Sequence, residues 1–270
     1  MVRRVVVLPA VLPAVLPAVL LALALLSTSC GSAQRDGESD STTPPQPGTC
    51  RELSAADLRA PSNANPVVAC SRRHTAETFA VGTLPKETGT SYDDKRHGTF
   101  VFDTCSKAFR DFLGVDESLA MRVQLAWAWF RPSKRAWDSG ARWYRCDVVG
   151  GPDGATSLRP LPAEARGLFS TDLPDAWLTC AQGPTVPHST KVPCSERHDW
   201  RAVTAVKIGQ PQDPYPGDRI VQVRSRDYCS DWVGAWMHYA PNYDFGYTWF
   251  RDADWATGNR RSVCWARTDQ

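Results

Sequence analysis

The sequence predicts an α+β protein built as two tandem homologous domains, each a small antiparallel sheet with one packed helix and each stapled by disulfides. Three observations predict it. Eight cysteines fall into two sets of four, Cys50, Cys70, Cys105 and Cys146, then Cys180, Cys194, Cys229 and Cys264, and the middle step, Cys70 to Cys105 and Cys194 to Cys229, is 35 residues in both. After Cys70 and again after Cys194 comes a His four residues on and then a strand-like stretch. Midway through each set a cysteine lies on the apolar face of a helix-period segment.

The chain of 270 residues opens with residues 1–29, which carry Arg3 and Arg4, no other charge, and the run VVVLPAVLPAVLPAVLLALALLSTS. A basic start followed by an apolar stretch is expected to be a signal peptide rather than part of the fold. It ends at LLSTSCGS, which resembles a bacterial lipobox, so that Cys30 becomes the lipid attachment site, diacylated on sulfur. Leu26 stands four residues before Cys30 and Ser27 three, whereas a lipobox has its aliphatic residue at the latter position. The other reading is an uncleaved membrane span, for which the length suffices. Pro9, Pro13 and Pro17 count against it, because each removes a backbone hydrogen bond in lipid. Both readings export the polar part and hold it at the extracytoplasmic face of the cell membrane.

Residues 30–49, small, polar and Pro-rich, read as a lipid-anchored flexible tether. With the leader removed, Lys+Arg and Asp+Glu balance. A neutral chain is not a nucleic-acid binder, which needs a basic face.

The first domain is expected over residues 50–149, a Gly- and Pro-marked linker over 150–174 and the second domain over 175–270. The duplication extends to the ends of the domains. WDSGARWYRC and WATGNRRSVC share Trp, Gly, Arg and Cys at the same offsets, and each follows a Trp-Phe-Arg triplet. ETFAVGTLP and RAVTAVKIG read as strands, WAWFRP and YTWFRD as short aromatic β segments, and RWYRCDVV and SVCWAR as closing strands. Between them Cys105, Phe109 and Phe112 share a helix face that stops near Gly114, and Cys229, Val233 and Trp236 repeat it.

Cys-x-x-x-His, found twice, fits half a zinc site, a thiol with its base, or a scaffold element. Export and an even count favour disulfides over zinc. Cys105 and Cys229 sit on faces turned toward the sheet that carries Cys146 and Cys264. This suggests Cys105–Cys146 and Cys229–Cys264, leaving Cys50–Cys70 and Cys180–Cys194, with two other pairings open in each domain.

PVVACSRRH and KVPCSERH, each followed by a helical Cys and then by Trp and Gly-x-Arg before a last Cys, resemble the septum formation family. Its members are membrane or lipid-anchored proteins of high-G+C Gram-positive bacteria. The resemblance spans residues 50–146 and 180–264 and implies a link to the division septum, with no catalytic activity, cofactor or substrate attached. The family's His is often followed three residues later by Glu, as His74 is by Glu77; the second copy has Arg201 there.

There is no GxSxG, HExxH, SxxK with partners, or phosphate-cradling glycine loop. His97, His188 and His238 are expected at the surface, His74 and His198 as ring donors to backbone, and Arg142 and Arg260 as structural donors to carbonyl or carboxylate. The duplicated Trp129, Trp249, Trp137 and Trp255 are expected in the core. The unduplicated Trp143, Trp200, Trp232 and Trp265 are candidates for an aromatic binding patch, with partial burial the plainer reading. The function expected is non-catalytic binding or scaffolding in the cell envelope, with no catalytic residue, metal or cofactor and with an envelope protein or cell-wall glycan as partner. The alternative is an envelope hydrolase or metal-dependent enzyme using His74.

Overall fold

A computed structural model describes residues 38–152 and 154–268. The expected signal peptide, Cys30 and the start of the expected tether lie outside the described residues. Among the described residues no helix is long and apolar enough to cross a membrane.

The first half runs β1 (Cys50–Arg51), β2 (Val67–Val68), β3 (Ala76–Thr83), α1 (Arg96–Leu113), α2 (Glu117–Ala120), β4 (Leu125–Phe130), α3 (Lys134–Asp138) and β5 (Trp143–Gly150). The second runs β6 (Thr179–Gln182), β7 (Thr190–Pro193), β8 (Trp200–Lys207), α4 (Asp218–Trp236), β9 (Phe245–Tyr247), α5 (Asp252–Thr257) and β10 (Arg261–Arg267). The sheets have the orders β2-β1-β3-β5-β4 and β7-β6-β8-β10-β9, antiparallel throughout, so the two topologies are identical. Each half is an α+β domain with a long helix on one sheet face. Even the irregularity is shared: the β3–β5 ladder skips Phe79 and the β8–β10 ladder skips Val203, each bulge lying beside the half-cystine of the closing strand.

Helix α1 buries His97, Val101, Cys105, Phe109 and Phe112, a nearly unbroken i, i+4 line, and Gly114 ends it at φ 74, a left-handed conformation natural to glycine. Helix α4 buries Val221, Ser225, Cys229 and Val233 on the same spacing. Cys105–Cys146 and Cys229–Cys264 bolt each helix to the closing strand, β5 or β10, and Cys50–Cys70 and Cys180–Cys194 close the sheet edges. This is the pairing suggested by the helix faces.

Side chains alternate along a strand, so the neighbours of Cys146 and Cys264 point to the far sheet face. In the first half this face holds a buried polar network. Arg145 Nε donates to Asp147 Oδ2 at 3.1 Å, Thr78 Oγ1 to Asp147 Oδ1 at 2.7 Å, and Arg51 Nη1 to Thr78 Oγ1 at 2.8 Å. The second half has Ala181, Ala202, Val263 and Trp265 at the equivalent places, in an apolar cluster capped by Met121 of the first half.

Several expectations are corrected. The tether is not loose from residue 38 onward. Asp40 is bound by Ser133 Oγ and by Arg135 at 2.9 Å, and Trp143 Nε1 donates to Ser41 O at 2.9 Å. The linker packs on the first half, because Leu161, Ala165 and Phe169 are apolar and buried against α1, where Gly167 N donates to Phe112 O and Phe169 N to Leu113 O. YTWFRD is not a strand: β9 ends at Tyr247, and Trp249 lies in the loop behind it. Each half also has a short helix, α3 or α5, before its closing strand, and α2 is an extra turn in the first half.

Candidate functional site

After Cys70 the chain turns sharply and brings His74 back beside the disulfide. Its Nδ1 lies 2.8 Å from Arg72 O, and His198 Nδ1 lies 2.8 Å from Glu196 O. A carbonyl only accepts, so Nδ1 carries a proton in both rings. Both rings are buried, and both Nε2 atoms lack a partner. The spacing is therefore the geometry of a turn that props a ring against a disulfide.

The two copies differ in what faces the ring. In the first, Cys50 Sγ, a His74 ring nitrogen and a Glu77 carboxylate oxygen all lie within 4.8 Å of one another. Glu77 Oε2 is buried without a partner, and burial pushes the carboxyl above the usual glutamate range against the pull of His74 and Arg166. In the second, the equivalent residue Arg201 turns to Asp175 at 2.6 Å.

Arg142 and Arg260 are struts. Each guanidinium stacks on a Trp, 3.9 Å from the centre of Trp137 and 3.8 Å from that of Trp255. Each also donates to the carbonyl of that Trp and to that of its own preceding residue. They close the turn between the short helix and the last strand.

The remaining histidines and tryptophans divide unexpectedly. His97 is not a surface residue. It lies on the buried line of α1, 2.9 Å from Thr88 Oγ1 and 3.0 Å from Ser91 O. His188 and His238 are exposed. Trp137 and Trp255 are core, whereas Trp129 and Trp249 are only half-buried and Phe130 and Phe250 take the core place. Trp143 is buried beside Ala136 and Ala141, Trp200 and Trp265 are buried in one apolar cluster of the second half, and Trp232 is 58% exposed, so these four form no surface patch.

An aromatic site does form, between the halves. A cleft of about 780 Å³ has Phe102 and Trp127 of the first half on one side and Trp249 and Trp265 of the second on the other. Phe102 and Trp127 lie 5.9 Å apart, and Phe102 seats against Gly258, where a Cβ would come within 2.5 Å of its ring. The charged lining is five basic residues, Arg110, Lys191, Lys207, Arg260 and Arg261, against Asp103, Glu117 and Asp254. Arg261 and Glu117 pair across the halves. Two further lining residues, Thr179 and Trp265, are buried with Oγ1 and Nε1 unpartnered. Volume and mixed lining fit a small-molecule or oligomer site. Sequence reading missed it because its walls come from α1 and β4 on one side and from β10 and the loops around α5 on the other.

A family model described as septum formation matches residues 28–131 and again residues 122–264. The chain belongs to the septum formation family. Each match takes in one Cys-x-x-x-His element, so the family's recurring unit is the duplicated one, and membership ties the chain to septum formation. Comparisons with curated proteins and with solved structures found no match. The two family matches overlap over residues 122–131. There, Gln124 N donates to Trp177 O and Thr179 N to Arg122 O, joining the halves backbone to backbone.

Proposed function

We propose that this septum formation family member is a non-catalytic envelope protein, held on the extracytoplasmic face of the membrane by lipid on Cys30, which binds an acidic cell-wall glycan in the cleft between its halves. The observation that carries the reading is the combined lining: aromatic rings from both halves, against which sugar faces stack, and an excess of cations to meet carboxylate or phosphate. Support for a non-catalytic role is the burial of His74 and His198, whose rings are turned to backbone and away from any substrate.

Purified protein incubated with cell-wall fragments should be retained and should be released by raised salt. Trp127→Ala and Trp249→Ala should each weaken retention at least tenfold. Retention that survives both substitutions together, or capture of an envelope protein with no retention on glycan, would overturn the glycan reading.

A further inference from the structure

The first Cys-x-x-x-His element holds a feature that neither the scaffold role nor the cleft uses. His74 Nε2 and Glu77 Oε2 are both buried and without a partner, and a His74 ring nitrogen, a Glu77 carboxylate oxygen and Cys50 Sγ all lie within 4.8 Å of one another. A buried polar atom without a partner is costly, and here two residues that carry such atoms stand beside one sulfur.

The Cys50–Cys70 bond is also the most accessible of the four. Cys70 is half-buried, whereas Cys50, Cys105, Cys146, Cys180, Cys194, Cys229 and Cys264 are all buried. A thiolate from solvent therefore reaches Cys70 sulfur before any other.

We propose that opening the Cys50–Cys70 disulfide turns this corner into a zinc(II) site formed by Cys50, Cys70, His74 and Glu77. A dithiol of the thioredoxin chemical class supplies the two electrons. Its first thiolate attacks Cys70 sulfur and expels Cys50 thiolate. Its second thiol then closes the dithiol's own disulfide and releases Cys70, leaving the dithiol oxidised and the two cysteines reduced. Zinc binding displaces the protons of both thiols to solvent. The Cα atoms of Cys50 and Cys70 are 5.3 Å apart, and tetrahedral zinc sets its donors roughly 3.3 to 3.8 Å from one another. The 4.8 Å cluster closes to that spacing by side-chain rotation.

His74 needs no turn of its ring, because with Nδ1–H donating to Arg72 O the neutral imidazole presents its lone pair to the metal at Nε2. The second half cannot follow. Arg201 stands where Glu77 does and places a cation beside Cys180 and Cys194. The proposal is independent of the cleft.

The test uses purified protein treated with limiting dithiol under anaerobic conditions, freed of reductant and titrated with zinc(II) or cobalt(II). Peptide mapping should show Cys50–Cys70 opened and the other three bonds intact. Zinc should bind at one per chain, and cobalt should show a thiolate charge-transfer band. Untreated protein should bind none. His74→Ala should abolish the band, and the isosteric Glu77→Gln should weaken binding at least tenfold while leaving the untreated protein folded. No uptake after reduction, first opening of another disulfide, or uptake that both variants leave unchanged would overturn the site.

Discussion

Asp147→Ala tests how the far face of the first sheet is held. Asp147 is fully buried and accepts from Thr78 Oγ1 and from Arg145 Nε, and Arg51 joins through Thr78. Removing the carboxylate takes the buried acceptor of Arg145 and of Thr78 out of this network, and breaking a buried ion pair costs about 3 to 5 kcal/mol. At roughly 2 to 4 °C per kcal/mol for a chain of this size, the melting temperature should fall by about 6 to 20 °C. The second half shows what the apolar solution looks like, with Ala181, Ala202, Val263 and Trp265 in the same places. Replacing the charges together, as Arg51→Met, Arg145→Met and Asp147→Leu, should therefore recover most of the loss. The assay is thermal and urea unfolding followed by circular dichroism, with disulfides verified by mass spectrometry. A single-variant loss below about 1 kcal/mol, or a triple variant less stable than Asp147→Ala, would show that the ion network is not what stabilises this face.

His74→Ala and His198→Ala should each lower stability by about 1 to 3 kcal/mol in the oxidised protein, since each removes a buried ring and its hydrogen bond to a backbone carbonyl, and equal melting curves for wild type and variants would refute the ring's role as a prop. Glu117 is held below the usual glutamate range by its hydrogen bond from Arg261. The stability it lends is therefore present above the unfolded value of 4.5 and is lost as pH falls through the lowered folded value. As Glu117 is half exposed, Glu117→Gln should cost only about 0.5 to 1 kcal/mol at pH 7 and nothing at strongly acid pH; a cost independent of pH would point to packing instead. Gly258→Ala should destabilise the cleft wall, because φ is 115° there and the new methyl meets Phe102; unchanged unfolding would disprove that contact. Finally, cells fed a fatty-acid probe should label the wild type and not Cys30→Ala, and label on the variant would remove the lipid anchor.

The disulfide framework was legible because both copies carry four cysteines in the same order with one shared step of 35 residues, and the helix faces named the partners of Cys146 and Cys264 correctly. Strands β3, β5, β8 and β10 were legible from alternation for the same reason. His97 was not, because its burial depends on Thr88 and Ser91, polar residues of a loop that give no periodic signal. Trp265 is buried, the plainer of its two expected readings, because it follows Cys264 and so faces the opposite side of the sheet, which the first half fills with Asp147. The packing of residues 38–49 rests on single polar contacts such as Asp40 with Arg135, which composition cannot reveal. The cleft was beyond reach because it depends on how the two copies dock, and nothing in either copy encodes that by itself.

The segment between the repeats does more than connect them. Leu161 N donates to His74 O, Val123 bridges to Leu178, and Leu178, Cys180 and Cys194 join the same apolar cluster as Phe109 and Phe112. Cutting the chain at residue 150 would therefore strip the first copy of part of its own interior and leave the second with an uncovered edge. Despite its ancestry as two beads, the molecule should melt as one, in a single transition with no half-folded plateau between.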